Sequence, residues 1–199
     1  MKEQNNSVFL FRNEKYSCSK TVYYPSEDSY FLAEYIKIAK NSFVIDVGCG
    51  SGIQSINALM QGASKVTAID LNENALESTK NNCKQAGFAK KISVLKSNLF
   101  ENYSGKKADT IIFNPPYVIS DEIKYLDLDG GKKGRETLDR FLKQFPKHLK
   151  KEGVCFFLQT DLNGYKETEK TLKSMGFKHK IVAKKRTFFE ELAVFKAEY

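Results

Sequence analysis

The chain has 199 residues, 41% hydrophobic and 28% charged, which suits one sizeable soluble core and excludes a low-complexity or fibrous protein. No apolar run approaches the roughly 20 residues that span a bilayer, and the polar start Met1-Lys2-Glu3-Gln4-Asn5-Asn6 lacks the apolar stretch of a secretory signal. The net charge of +8 admits a nucleic-acid-facing surface, but 24 acidic residues are interspersed among the 32 basic ones, so a Lys-rich soluble surface explains it as well.

Residues 1–21 are weakly patterned, with Val8-Phe9-Leu10-Phe11 as a short packing segment. Ser26, after Pro25, reads as a helix N-cap with Glu27 and Asp28 as first-turn charges. Phe31, Leu32, Tyr35, Ile36 and Ala39 then recur at helical spacing up to Asn41. The first core strand covers 43–47 and runs into Gly48-Cys49-Gly50-Ser51-Gly52, followed by a helix over 53–60. A second strand, 65–69, ends at Asp70; a helix over 73–86 stops at Gly87; strands three and four cover 91–95 and 108–113. A long loop spans 118–134, and a helix from Arg135 is ended or kinked by Pro146. A fifth strand covers 153–159 and a helix 165–175, ended by Gly176. Two last strands, 177–182 and 187–195, join at Lys184-Lys185, a connection short enough to force an antiparallel hairpin.

Cys18, Cys49, Cys83 and Cys155 show no paired spacing and no histidine at zinc distance, so they read as reduced thiols of a cytoplasmic protein, and no metal site is expected. Cys49 reads as a small filler of the glycine turn. His148 and His179 lie away from every motif and read as non-catalytic.

Two strand ends carry the chemistry. Open α/β sheets bind ligands outside the carboxyl ends of their strands. At the first, alternating glycines let the backbone approach a ligand closely. Their Gly-x-Gly-x-Gly spacing differs from the Gly-x-Gly-x-x-Gly of dinucleotide binders, so a pyrophosphate need not be the guest. Asp46, just before the turn, is placed to meet a cationic amine. Asp70, twenty residues past Gly50, is placed to accept from ribose hydroxyls. A ligand with a ribose, an amine and no phosphate is S-adenosylmethionine. At the fourth strand end stands Asn114-Pro115-Pro116-Tyr117. Asn114 offers an amide, the prolines remove backbone donors so that carbonyls face the ligand, and Tyr117 adds a flat ring. Such a turn suits a planar NH2 group.

Four stretches, 22–29, the glycine turn, 114–117 and 130–141, resemble the class I methyltransferases. Within them they resemble the HemK-like glutamine methyltransferases of translation release factors, in the short archaeal and eukaryotic branch. The resemblance implies an α/β fold with a seven-stranded, mostly parallel Rossmann-like sheet of order 3-2-1-4-5-7-6 and an antiparallel last strand. It implies one methyltransferase domain over 1–199: an N-terminal extension at 1–21, a first helix region over the cofactor at 22–41 and the core at 42–199. S-adenosylmethionine is then held by Ser29, Asp46, Gly48, Gly50, Asp70, Asn98, Leu99 and Asn114. Asn98 stands where the family commonly has Asp, accepting from the adenine amine, and Leu99 packs on the adenine. Asn114, Pro115 and Tyr117 are the catalytic residues. From their position just after the Asn-Pro-Pro-Tyr turn, Asp121, Glu122 and the segment Asp127 to Arg135 are expected to touch the substrate and not the cofactor.

The implied substrate is the glutamine of a Gly-Gly-Gln motif in a peptide-chain release factor, methylated at N5. The planar-amine logic equally admits an adenine of a nucleic acid, fits a tetrahedral lysine amine less well, and leaves a non-catalytic cofactor-binding subunit as the remaining alternative. The short branch works with a small zinc-binding activator protein as a heterodimer, and the resemblance implies such a partner. It implies no membrane association.

Overall fold

The computed structural model describes residues 6–122, 124, 125 and 127–199. Its elements in chain order are β1 (Asn6–Phe11), β2 (Glu14–Ser19), α1 (Glu27–Tyr35), β3 (Phe43–Val47), α2 (Ile53–Met60), β4 (Lys65–Asp70) and α3 (Glu73–Gln85). There follow β5 (Ile92–Lys96), β6 (Ala108–Phe113), α4 (Glu136–Gln144), β7 (Leu149–Thr160), α5 (Tyr165–Ser174), β8 (Lys178–Arg186) and β9 (Glu191–Glu198).

Strands β3 to β9 form one sheet in the order β5-β4-β3-β6-β7-β9-β8. β3 pairs in parallel with β4 and β6, β4 with β5, and β6 with β7; β9 runs antiparallel to both its neighbours. Counted within the sheet alone, this is the expected order 3-2-1-4-5-7-6. The inner strands are continuous apolar runs because both faces of a parallel sheet are covered. Val44 faces the layer built with α1, α2 and α3, whereas Ile45 and Val47 face the layer built with α4 and α5. In the second layer Phe113, Phe141 and Phe157 are fully buried. Each such ring contributes about 1.5–3 kcal/mol relative to exposure.

Three local expectations are corrected. Residues 6–19 are a hairpin whose turn, Arg12-Asn13, takes left-handed φ of 49° and 67°, the geometry that matches the twist of the flanking strands. Phe9, Phe11, Tyr16 and Cys18 point inward and join the first core layer, so the segment is an integral cover. α1 stops at Tyr35, not Asn41: Ile36 turns extended at ψ 140°, and Ile36 and Ile38 reach the core from irregular chain. Apolar spacing there serves a descending connection rather than a helix. The last hairpin turns at 187–190. Lys184 and Lys185 lie within β8, opposite Ala193 and Leu192.

The first turn of α1 and the loops after β3, β4, β5 and β6 meet at the carboxyl edge of the sheet. Here the fold opens.

Candidate active site

A cavity of about 540 Å³ lies at that edge, lined from the glycine turn, the ends of β4 and β6, the segment after β5, and α1. Seven of the eight expected cofactor residues line it: Ser29, Gly48, Gly50, Asp70, Asn98, Leu99 and Asn114. So do the expected catalytic Pro115 and Tyr117.

The glycine turn owes its shape to its sequence. Gly48 has φ +62°, and a Cβ there would sit 3.4 Å from the Phe113 ring and 3.9 Å from the Asn114 carbonyl oxygen. The turn therefore lies directly against the Asn-Pro-Pro-Tyr strand end. Asp70 is anchored by the same turn: Gly50 N donates to Oδ2 at 3.0 Å and Asn72 N to Oδ1 at 2.9 Å. Burial raises the Asp70 carboxyl above its ordinary range, and these backbone donors oppose the rise. Each oxygen keeps lone-pair capacity for a ligand hydroxyl. Leu99 holds an uncommon left-handed φ of 50° while lining the cavity, an orientation that the loop imposes on a non-glycine residue.

Asp46 is the exception among the expected cofactor residues. It does not line the cavity; it is 1% exposed, and its Oδ2 accepts from Ser55 Oγ at 2.6 Å. The reason is strand alternation: on β3 it shares the face of Val44, toward α2. Burial pushes its carboxyl up to about 7. In its place the cavity wall presents Gln54, whose Nε2 donates to the Ser29 carbonyl at 2.8 Å. That bond leaves Gln54 Oε1 buried without a partner. Only the one strong apolar helix pattern of 53–60 was visible in sequence, and it conceals this polar position.

Asn114 is the second residue with an orphan. Its Nδ2 donates to Asp28 Oδ2 at 2.9 Å, which fixes the amide orientation and leaves Oδ1 buried and unpartnered. Asp28 is itself 3% exposed and accepts from Tyr23 Oη at 3.0 Å, Ser29 N at 2.6 Å and Ser29 Oγ at 3.2 Å. The sequence reading treats Asp28 as a helix-dipole charge; the structure puts it in the site. Its place in the stretch 22–29 was the available signal. Burial first, and the Asp28 charge second, raise the phenol of half-buried Tyr117, which stays neutral. Buried acceptors without partners cost free energy unless a donor arrives. The two orphans on cavity-lining residues, with the Asp70 carboxylate, fit S-adenosylmethionine and a planar amine as guests: a ribose for Asp70, hydrogen-bond donors for Gln54 and Asn114.

The loop after Tyr117 is only partly as expected. Lys124, Tyr125, Asp127, Leu128 and Asp129 line the cavity, while Asp121 and Glu122 are exposed and do not; Leu126 lies outside the described residues. Asp129 shapes the loop by accepting from Lys124 N at 2.7 Å and Tyr125 N at 2.8 Å. Arg135 is corrected outright. It is 7% exposed, does not line the cavity, and its guanidinium donates to both Asp139 oxygens, to the Asn163 and Gly164 carbonyls and to Thr168 Oγ1. It pins α4 to the β7–α5 connection. Asn163, unmarked in sequence, donates from Nδ2 to the Tyr117 carbonyl at 3.0 Å. At Gly134, φ +63°, a Cβ would collide with both partners of that bond, at 2.2 and 2.3 Å. Thus the glycine-rich stretch packs against the Asn-Pro-Pro-Tyr turn.

Comparison with known proteins gives the family. The model of the Methyltransferase small domain family matches residues 26–189, and the chain belongs to that family of methyltransferases. It is 43% identical over 182 residues to a Methanocaldococcus jannaschii protein provisionally named a protein N5-glutamine methyltransferase, covering 88% of this chain and 91% of that one. To human methyltransferase HEMK2 it is 26% identical over 190 residues, 88% of each chain. Among solved structures, the E. cuniculi Mtq2–Trm112 complex, described as responsible for methylation of the eRF1 translation termination factor, superimposes with a TM-score of 0.73. Identity there is 26%, over 89% of this chain and 98% of that one. A T. thermophilus 16S rRNA methyltransferase shares the fold at a TM-score of 0.74 and 19% identity, over 98% of this chain and 50% of that one.

Proposed function

We propose that this chain uses S-adenosylmethionine to methylate the side-chain N5 of the glutamine in the Gly-Gly-Gln motif of a peptide-chain release factor. The observation that carries the reading is the buried, unpartnered Asn114 Oδ1 on the Asn-Pro-Pro-Tyr turn, oriented by Asp28. The name of the relative at 43% identity and the description of the E. cuniculi complex at 26% identity point the same way.

When bound, S-adenosylmethionine supplies an electrophilic methyl group. The remaining work falls to the chain. An amide nitrogen is a poor nucleophile because its lone pair is delocalised. Asn114 Oδ1 and the Pro115 carbonyl accept its two hydrogens, and Tyr117 holds its plane. Positive charge that develops on the nitrogen is stabilised by these fixed dipoles, and one gripped hydrogen is finally lost as a proton. Asp28 strengthens Asn114 as an acceptor by taking a hydrogen bond from its amide.

Residues 1–199 act in this reading as one catalytic domain of a cytoplasmic protein, a location that suits four free buried cysteines. A small zinc-binding partner adds a strand along β5, the sheet edge where 92–95 are half-buried. The opposite edge, β8, carries Lys178, Lys180, Lys184, Lys185 and Arg186, side chains that discourage strand addition. The test is radiolabelled methyl transfer to purified release factor, RNA and DNA, followed by mass mapping. Label on the Gly-Gly-Gln glutamine is the expected result; label on adenine alone overturns the substrate.

A further inference from the structure

The β8–β9 turn carries two apolar side chains in water: Phe188 is 91% and Phe189 81% exposed, their rings edge to face at 4.9 Å. The turn is well built. Thr187 donates to the Glu190 carbonyl from N at 2.8 Å and from Oγ1 at 2.9 Å. Its stem is clamped by Arg186 to Asp161 at 3.1 Å and by Lys185 to Glu27 of α1 at 2.7 Å. Lys184 pairs with Glu191 at 2.7 Å. The three cations that precede the rings are therefore each matched by an acid.

The turn also stands beside the site. β8 runs parallel to β7, and Lys185 is level with Leu192, which is level with Thr160. The turn thus projects past the carboxyl edge, where the cavity opens. Burial first, and the nearby Asp161 and Asp28 charges after it, raise the Glu190 carboxyl, and Glu190 adds to the rise that burial imposes on the Tyr117 phenol. On the same edge Ile119, after β6, is 51% exposed, and Leu162, after β7, is 56% exposed.

Resting on the release-factor reading, we propose that Phe188 and Phe189, with Ile119 and Leu162, dock the folded body of the protein substrate outside its Gly-Gly-Gln tripeptide. The tripeptide offers the enzyme a single side chain, so recognition needs contacts beyond it. Exposed aromatic pairs at a site rim are typical anchors of protein interfaces. Sites for single-stranded nucleic acid combine such rings with free cations; here the adjacent cations are paired.

The experiment compares wild type with Phe188→Ser/Phe189→Ser in steady-state methylation of intact release factor and of a short synthetic Gly-Gly-Gln peptide. Melting temperature and S-adenosylmethionine affinity, expected unchanged, report on fold and cofactor site. The KM for intact release factor should rise about tenfold or more, with kcat and the peptide kinetics unchanged. An unchanged KM for the intact protein, or an equal rise for the peptide, overturns the docking role. An unchanged KM accompanied by loss of a dimer in sedimentation, or by loss of RNA retention on a filter, assigns the rings to a second copy or to RNA and overturns it too. A wild type that methylates RNA or DNA but neither of these acceptors overturns the release-factor reading and the docking role together; an active wild type with an unaltered variant overturns the docking role alone.

Discussion

Asn114 Nδ2 donates to Asp28 Oδ2 at 2.9 Å, so the turn after β6 is locked to the first turn of α1 across 86 residues of sequence. The bond decides which end of the Asn114 amide faces the acceptor. Without it the amide can rotate and present a donor to a group that is itself a donor.

Asp28→Ala should therefore lower turnover at saturating cofactor by about ten- to a hundredfold, the worth of a hydrogen bond to a charged group. Single-turnover methylation checks this. Normal turnover would show that Asn114 is oriented by other contacts.

Asp70→Ala should weaken S-adenosylmethionine binding by about ten- to a hundredfold for the same reason. Calorimetry measures it directly. An unchanged dissociation constant would remove the ribose role that the Gly50 and Asn72 amides prepare.

The buried Asp46 carboxyl, lifted from an ordinary 3.8 to about 7, gives a pH prediction. Between those values the folded chain keeps a proton that the unfolded chain has released, so this group makes stability fall as pH rises from about 4 to about 7. Asp46→Asn keeps an acceptor for Ser55 and cannot ionise. Its melting temperature, measured without cofactor, should gain on the wild type as pH rises from about 4 to about 7. A difference independent of pH would contradict this.

The alternation of strands and helices and the glycine turn were legible in local pattern, and the strand order came with the resemblance; Asp70 and Asn114 were legible as strand-end residues, and both line the cavity. What depends on packing across segments was not legible. Asp46 leaves the cavity because strand alternation turns it away, and Gln54, on which the sequence offered no reading, enters it from α2. Asp28 looks like a capping charge until Asn114 is folded against it. The hairpin 6–19 is short, and Val8 and Leu10 face water beside the buried Phe9 and Phe11, which blurs its alternation. Arg135, after a polar glycine-rich loop, reads as substrate-facing; its partners Asn163, Gly164 and Thr168 lie far along the chain.

Arg135→Met should accordingly cost stability, about 1–3 kcal/mol, because the Asn163 and Gly164 carbonyls lose their donor; Asp139, 43% exposed, is screened by water and adds little. Urea unfolding measures the loss. A variant of normal stability with a raised KM for the protein substrate would return Arg135 to the substrate-binding role.

The most direct test of the central claim is single-turnover methylation of release factor by wild type and Asn114→Ala at saturating S-adenosylmethionine. The account predicts a folded variant whose transfer rate falls about a hundred- to a thousandfold, the usual cost of losing one preorganised contact to a developing charge. Transfer at a near-normal rate would contradict the planar-amide mechanism.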